Sequence, residues 1–211
     1  RVRLDDFVDN LRAGRRHSPQ VAYDALGNVY TAYGFNDGTV SRVVVARSQD
    51  GGATYPDVRV IDNPASPSTV TEEQIFVTTG GSAADPSIYV GWTELVGGVP
   101  GTVRVRGTLA SAFNFSTAGT VTASGQPRLG DLAVGPTGEL YATWTDYSTS
   151  PERIFVAKDA NGLAGGHNFV VQNSVSTRTS IRVELTGLMS CCSNCIPPVV
   201  TQQLPLWMFR P

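Results

Sequence analysis

Two tripeptides carry the chain's most suggestive chemistry. Trp92-Thr93-Glu94 and Trp144-Thr145-Asp146 each close an alternating apolar run with an aromatic, a threonine and an acid. Two carboxylates set around one rim are what glycoside hydrolysis asks for, one as acid and the other as base or nucleophile. The competing reading is that an acid just beyond a strand satisfies the backbone of its own loop, and the residues alone leave both open. Phe35-Asn36-Asp37 stands at the corresponding place in an earlier segment and Tyr147 follows Asp146, so Asp37 and Tyr147 join Glu94 and Asp146 as candidate ligand contacts. His17 and His167 have neither metal-ligand spacing nor the context of a serine-histidine-aspartate triad. Asn36-Asp37-Gly38 lacks the oxygen ligands of a calcium loop, so no metal and no cofactor is expected.

The elements that must position these residues follow from a repeat. Gly27-Asn28-Val29-Tyr30-Thr31-Ala32-Tyr33 and Gly138-Glu139-Leu140-Tyr141-Ala142-Thr143-Trp144 share a glycine, a polar residue and an alternating strand ending in an aromatic. Ser87-Ile88-Tyr89-Val90-Gly91-Trp92 lies midway, giving a unit of about 55 residues. Period-2 runs bounded by turn residues predict four short strands in the first unit: 20–24, 29–33, 40–47 and 57–62. The third unit repeats them at 131–134, 139–144, 153–157 and 169–172, and the looser second unit at 74–77, 88–92, 103–109 and 119–122. Four antiparallel strands at this period describe a β-propeller blade, so the fold class expected is all-β with about three four-stranded blades. The blades are expected at 19–72, 73–125 and 126–173. Residues 1–18 read as the end of a preceding blade or a short helix spaced by Leu4, Phe7, Val8 and Leu11, and 174–211 as a divergent tail.

Between the third and fourth strands of the first unit stands Ser48-Gln49-Asp50-Gly51-Gly52-Ala53-Thr54-Tyr55. An aspartate can accept backbone N–H bonds inside a turn, adjacent glycines take positive φ at little steric cost, and Tyr55 is placed to plug the blade core beneath. The string resembles the Asp-box, or BNR repeat, of sialidase-like β-propellers, through Ser48, Asp50, Gly52, Thr54 and the aromatic Tyr55. The third unit keeps an Asn, a Gly and a closing aromatic from 157 to 169, and the second keeps only the aromatic. The resemblance covers about residues 19 to 173. It implies that Asp50 is structural, on the face opposite any active site, and that the setting is secreted or extracytoplasmic. The family holds a carboxylated sugar with an arginine cluster, which makes Arg153 and Arg104 candidates, with exposed strand arginines as the plain alternative. Its Phe-Arg-Ile-Pro signature is not met by Arg16-His17-Ser18-Pro19. A six-bladed ring would need roughly twice these blades, so the chain is expected to be part of something longer. The function expected is a non-catalytic propeller segment binding a glycan or a protein, and the alternative is a sialidase-like exo-glycosidase.

Composition narrows the partners. With 16% charged residues and a net charge of -2 the chain has no basic surplus with which to track phosphates, so no nucleic-acid partner is expected. Its 22 glycines and 13 prolines fit many turns, and its apolar runs are far shorter than the ~18 residues of a membrane span. Cys191, Cys192 and Cys195 all fall in the tail, an odd cluster that reads as neither a disulfide framework nor a zinc site.

Overall fold

A computed structural model describes residues 14–62 and 69–176. The stretch from Leu4 to Leu11, the alternating run from Ser180 to Leu185 and the three cysteines lie outside them.

Among the described residues twelve strands follow one another in chain order. They are β1 (Arg15–Tyr23), β2 (Val29–Asn36), β3 (Ser41–Ser48), β4 (Asp57–Asp62), β5 (Val70–Gly80), β6 (Ser87–Val96), β7 (Val99–Leu109), β8 (Thr117–Thr122), β9 (Pro127–Val134), β10 (Leu140–Asp146), β11 (Arg153–Asp159) and β12 (Phe169–Ser176). They form three antiparallel four-stranded sheets, β1–β4, β5–β8 and β9–β12, each a plain meander. One 3-10 turn, Gly162–Ala164, is the only helical piece among the described residues. The innermost strands neighbour one another, β1 against β5 and β5 against β9. The described residues do not close a ring.

Two apolar seams hold the sheets together. Tyr30, Ala32, Val43, Val45 and Ile61 of the first sheet pack on Ile75, Ile88, Val90, Trp92, Ala110, Phe113 and Phe115 of the second. Tyr89, Val103, Val105 and Val121 turn the other way, onto Leu129, Leu132, Leu140, Ala142, Trp144 and Ala157 of the third. The second sheet is therefore buried on both faces. That is why β6 is almost wholly buried and why its sequence lacks the clean alternation of a strand with one wet face. Gly91 and Gly80 mark close approaches: a Cβ at Gly91 would lie 2.9 Å from Leu132 and 3.0 Å from Leu129, and one at Gly80 would lie 2.6 Å from Val134.

The inner strands begin earlier than alternation predicts, β1 at Arg15 rather than Gln20 and β9 at Pro127 rather than Asp131. Each carries a bulge at the same place, between His17 and Gln20, between Glu73 and Phe76, and opposite Thr143 and Trp144. An extra residue in a strand reverses the in-out order of everything before it, so a period-2 search stops at the bulge. Ser18 and Gln74 take the left-handed backbone there, at φ 50 and φ 46.

The turn from Ser48 to Thr54 is built from its own atoms. The Ser48 hydroxyl donates to Asp50 at 2.7 Å and accepts the Gly52 N–H at 2.8 Å. Thr54 donates its N–H and its hydroxyl to the Asp50 carboxylate at 2.8 and 2.6 Å. Gly51 and Gly52 supply φ 69 and φ 91. Donors from Ser48 and Thr54 draw the Asp50 carboxyl down to about 2. Tyr55 departs from expectation: it is half-buried and belongs to neither seam. The buried aromatics of the seam between the first and second sheets include Tyr30, Phe113 and Phe115, with the Arg47 guanidinium 4.5 Å from the Phe113 ring centre.

Candidate functional site

At the end of the sheets opposite the Asp50 turn, the first residues of β1, β5 and β9 meet the β2–β3, β6–β7 and β10–β11 turns. Just before its bulge each inner strand presents one polar residue at the same register: His17 opposite Gly34, Glu73 opposite Thr93, and Arg128 opposite Thr145. The three form a row. Arg128 Nη1 lies 3.4 Å from Glu73 Oε2, which also accepts from Gln74 Nε2 at 3.3 Å. The His17 ring lies across Gly34, where any Cβ would fall 2.2 Å from it. Burial, then the Arg15 charge, hold the His17 imidazole below its ordinary value, with Glu73 pulling the other way.

The row leads to a groove on the third sheet. The Arg128 guanidinium sits 6.0 Å from the centre of the Tyr147 ring, which is 46% exposed. Beyond it the β10–β11 turn encloses about 610 Å³ between Thr145, Tyr147, Ser148, Thr149, Glu152 and Ile154, with Ser150 and Pro151 completing the wall. An exposed aromatic beside several hydroxyls and one carboxylate offers an apolar ring for the C–H face of a ligand and donors and acceptors for its polar edge.

The residues singled out from the sequence are placed as follows. Glu94 lies inside β6 rather than on a loop, and accepts from Arg104 Nε at 2.8 Å. Asp146 ends β10 and accepts the N–H groups of Gln126 and Ser148 at 3.0 and 2.9 Å. Burial opposes its charge, yet those N–H groups, the Ser148 hydroxyl and the Arg153 charge hold its carboxyl below the usual range. Arg153 opens β11 directly across from Asp146. Asp37 accepts from the N–H groups of Thr39 and Val40 and from the Thr39 hydroxyl, all within its own turn.

Glu94 and Asp146 hold the same position in their strands but face different seams. Glu94 shares the Trp92 side, toward the first sheet, and Asp146 the Trp144 side, between the second and third. Thr93, between Trp92 and Glu94, points the other way and accepts the Leu129 N–H at 2.9 Å, satisfying a donor beside the bulge. Beneath Glu94 lies Glu72, its cross-strand neighbour and fully buried. Its carboxyl accepts from the Ser41 hydroxyl of the first sheet, and its second oxygen has no partner among the described residues. Desolvation, reinforced by Asp62 and Glu94 against the Ser41 bond, pushes it up to about 7.

His17, Glu73 and Arg128 were not singled out from the sequence. Their signal is the repeat itself, since they recur at the same period of about 55 residues as Tyr30, Tyr89 and Tyr141. Among the described residues no cluster of three or more His, Cys, Asp or Glu is arranged to hold a metal, and no helix is long and apolar enough to cross a membrane.

No family model and no curated protein matches the chain. Among solved structures, the Hadza microbial sialidase Hz136 matches 75% of this chain at a TM-score of 0.50 and 14% identity. A polysaccharide lyase described as a PL25 ulvan lyase matches 76% at a TM-score of 0.49 and 9% identity. The chain spans 37% of the length of the sialidase and 44% of that of the lyase. The likeness to the sialidase is one of fold: three stacked antiparallel meanders of a propeller-like, all-β architecture.

Proposed function

We propose that this chain is a segment of an Asp-box β-propeller, with blades at about 19–72, 73–125 and 126–173, that binds a glycan without cleaving it, in a secreted or extracytoplasmic protein. The observation that carries this reading is the polar row His17, Glu73 and Arg128 leading to the exposed Tyr147 and its hydroxyl-lined groove. Sugars present apolar C–H faces and hydroxyl edges together, and that groove offers both kinds of surface. Arg128 and Arg153 supply guanidinium groups near the rim that suit a carboxylated sugar. The Ser48 to Thr54 turn supports the Asp-box assignment through its bonding, and its place at the far end of the sheet fits a scaffolding role.

The catalytic alternative would use Glu94 and Asp146 as acid and base. Their bonding favours binding over cleavage. A general acid needs a raised pKa, whereas Asp146 is held ionised by backbone donors and Glu94 is paired with Arg104 on another seam. Titration of the full chain with 3′-sialyllactose and with lactose, followed by calorimetry, tests the reading. Saturable binding lost in Tyr147→Ala supports it. Release of fluorophore from a sialoside, abolished by Asp146→Ala, would overturn it in favour of the enzyme.

A further inference from the structure

A second cleft, on the seam between the first and second sheets, has no part in the site above. It encloses about 450 Å³ between Asp62 of β4 and Trp92, Glu94, Arg104, Arg106 and Thr120 of β6, β7 and β8, within the ~300–1,000 Å³ usual for small-molecule sites. Three features distinguish it from an ordinary surface fold. Trp92 is 1% exposed and lines the cleft, yet its indole N–H finds no acceptor among the described residues. A buried donor left unpaired costs about 1–3 kcal/mol, so such groups are rare outside sites that something else completes. The Glu94 side chain is only 14% exposed although it is charged, and Arg104 reaches over it through Nε, leaving the rest of its guanidinium fork for other acceptors. Arg106, two residues along β7 on the same face, makes only a 3.5 Å contact with the Phe115 carbonyl and pairs with no carboxylate among the described residues.

The charges decide the ligand class. The wall's two carboxylates and two guanidiniums balance, and Glu72 behind Glu94 is kept from ionising by burial up to about 7, so neither a cation nor an anion gains from the net field, and a neutral ligand pays no penalty for charge. What the walls offer is a close alternation of donors and acceptors, with Thr120 able to act as either. Adjacent hydroxyls on a ring match that alternation because each can donate to a carboxylate while accepting from a guanidinium. We propose that the cleft between β4 and β6–β8 is a separate binding site for one uncharged sugar unit, held by Asp62, Glu94, Arg104, Arg106 and Thr120 with Trp92 as its floor. Glu94 acts here as a positioned acceptor and takes no part in bond cleavage.

Trp92 gives the site its own reporter. The full chain, labelled with nitrogen-15 in its tryptophan indoles, is titrated with the methyl glycosides of glucose, galactose and mannose, the Trp92 cross-peak being assigned from Trp92→Phe. A saturable shift of that peak with at least one glycoside is expected. Binding should weaken at least tenfold in Arg106→Met and in Thr120→Val, two changes at the cleft wall whose folding is checked by an unchanged melting temperature. It should be unaltered in Tyr147→Ala, which separates this cleft from the rim groove. No shift of the Trp92 peak with any of the three glycosides would overturn the proposal. So would a shift that survives both wall substitutions, or one that disappears with Tyr147→Ala.

Discussion

The two ends of the sheets solve the same problem in opposite ways. At the Asp50 end two turns are closed by their own atoms: Ser48, Asp50, Gly52 and Thr54 form one set, and Asp24 accepts from Leu26, Asn28 and Tyr30, while Arg47 and Thr79 reach across to the Ala110 and Tyr23 carbonyls. At the other end several partners lie on different sheets: Glu73 meets Arg128, Ser41 donates to Glu72, and Leu129 donates to Thr93. A self-satisfied turn stabilises one sheet and offers a ligand nothing further. Groups held across sheets instead tie neighbouring sheets together, as the fully buried Ser41, Glu72 and Thr93 do. The comparison teaches that position in the repeat does not settle role: Glu94 and Asp146 correspond in sequence, but one is an acceptor for a neighbouring strand and the other a turn-builder.

The largest expected effect strikes the self-satisfied end. Asp24 is 4% exposed and its carboxylate accepts four hydrogen bonds, including 2.7 Å from the Tyr30 hydroxyl. Asp24→Ala should destabilise by about 3 kcal/mol, because several buried donors lose their acceptor at once. Thermal unfolding reads this, and a loss below ~1 kcal/mol would mean that the turn is not a closed unit.

Next comes the seam at Glu72. Its folded pKa lies above its unfolded value of 4.5, so the folded state holds a proton that the unfolded state has released. Stability is greatest below about 4.5 as far as this group is concerned, and falls as pH rises toward about 7. The loss should be on the order of 2 kcal/mol, seen as a lower melting temperature at pH 8 than at pH 5. Glu72→Gln should flatten the difference. An unchanged profile in that variant would assign the pH dependence to other groups.

A smaller effect is expected at the rim. Tyr147→Ala should weaken glycan binding about tenfold, or ~1.4 kcal/mol, with the melting temperature unmoved because the ring is 46% exposed. A drop in stability without a change in binding would place Tyr147 with the scaffold. The smallest change is expected for Asp50→Ala, at an exposed turn: a slight fall in melting temperature and no change in glycan binding. The Ser48 and Thr54 donors draw the Asp50 carboxyl down to about 2 from its ordinary 3.8, so its stabilising share is present above about 3.8 and fades as pH falls toward 2. The stability difference between Asp50→Ala and the parent chain should therefore shrink in acid.

Much of the sheet content was legible in the residues. Tyr30, Tyr89 and Tyr141 mark the second strand of each sheet, and the turn glycines Gly27 and Gly138 take positive φ as their place before a strand requires. The starts of β1, β5 and β9 were not legible, because a bulge breaks the alternation from which a strand is recognised. Pairing His17 with Glu73 and Arg128 needed the register before those bulges as well. That Tyr55 stays out of the core was not legible either, because the sequence around it is silent on which aromatics reach the seam, and Tyr30, Phe113 and Phe115 do.

What the sequence by itself determined are the features whose partners lie within a few residues: the strand repeat, and the turns closed by Asp24 and Asp50. These need only local backbone geometry, so residue types at fixed spacing suffice. Tertiary structure alone decided that Glu72 is buried against Ser41, that Thr93 serves the bulge at Leu129, and that Glu94 and Asp146 face separate seams. Each of those depends on how the sheets stack, and stacking is set by the sum of the apolar faces and not by any one segment.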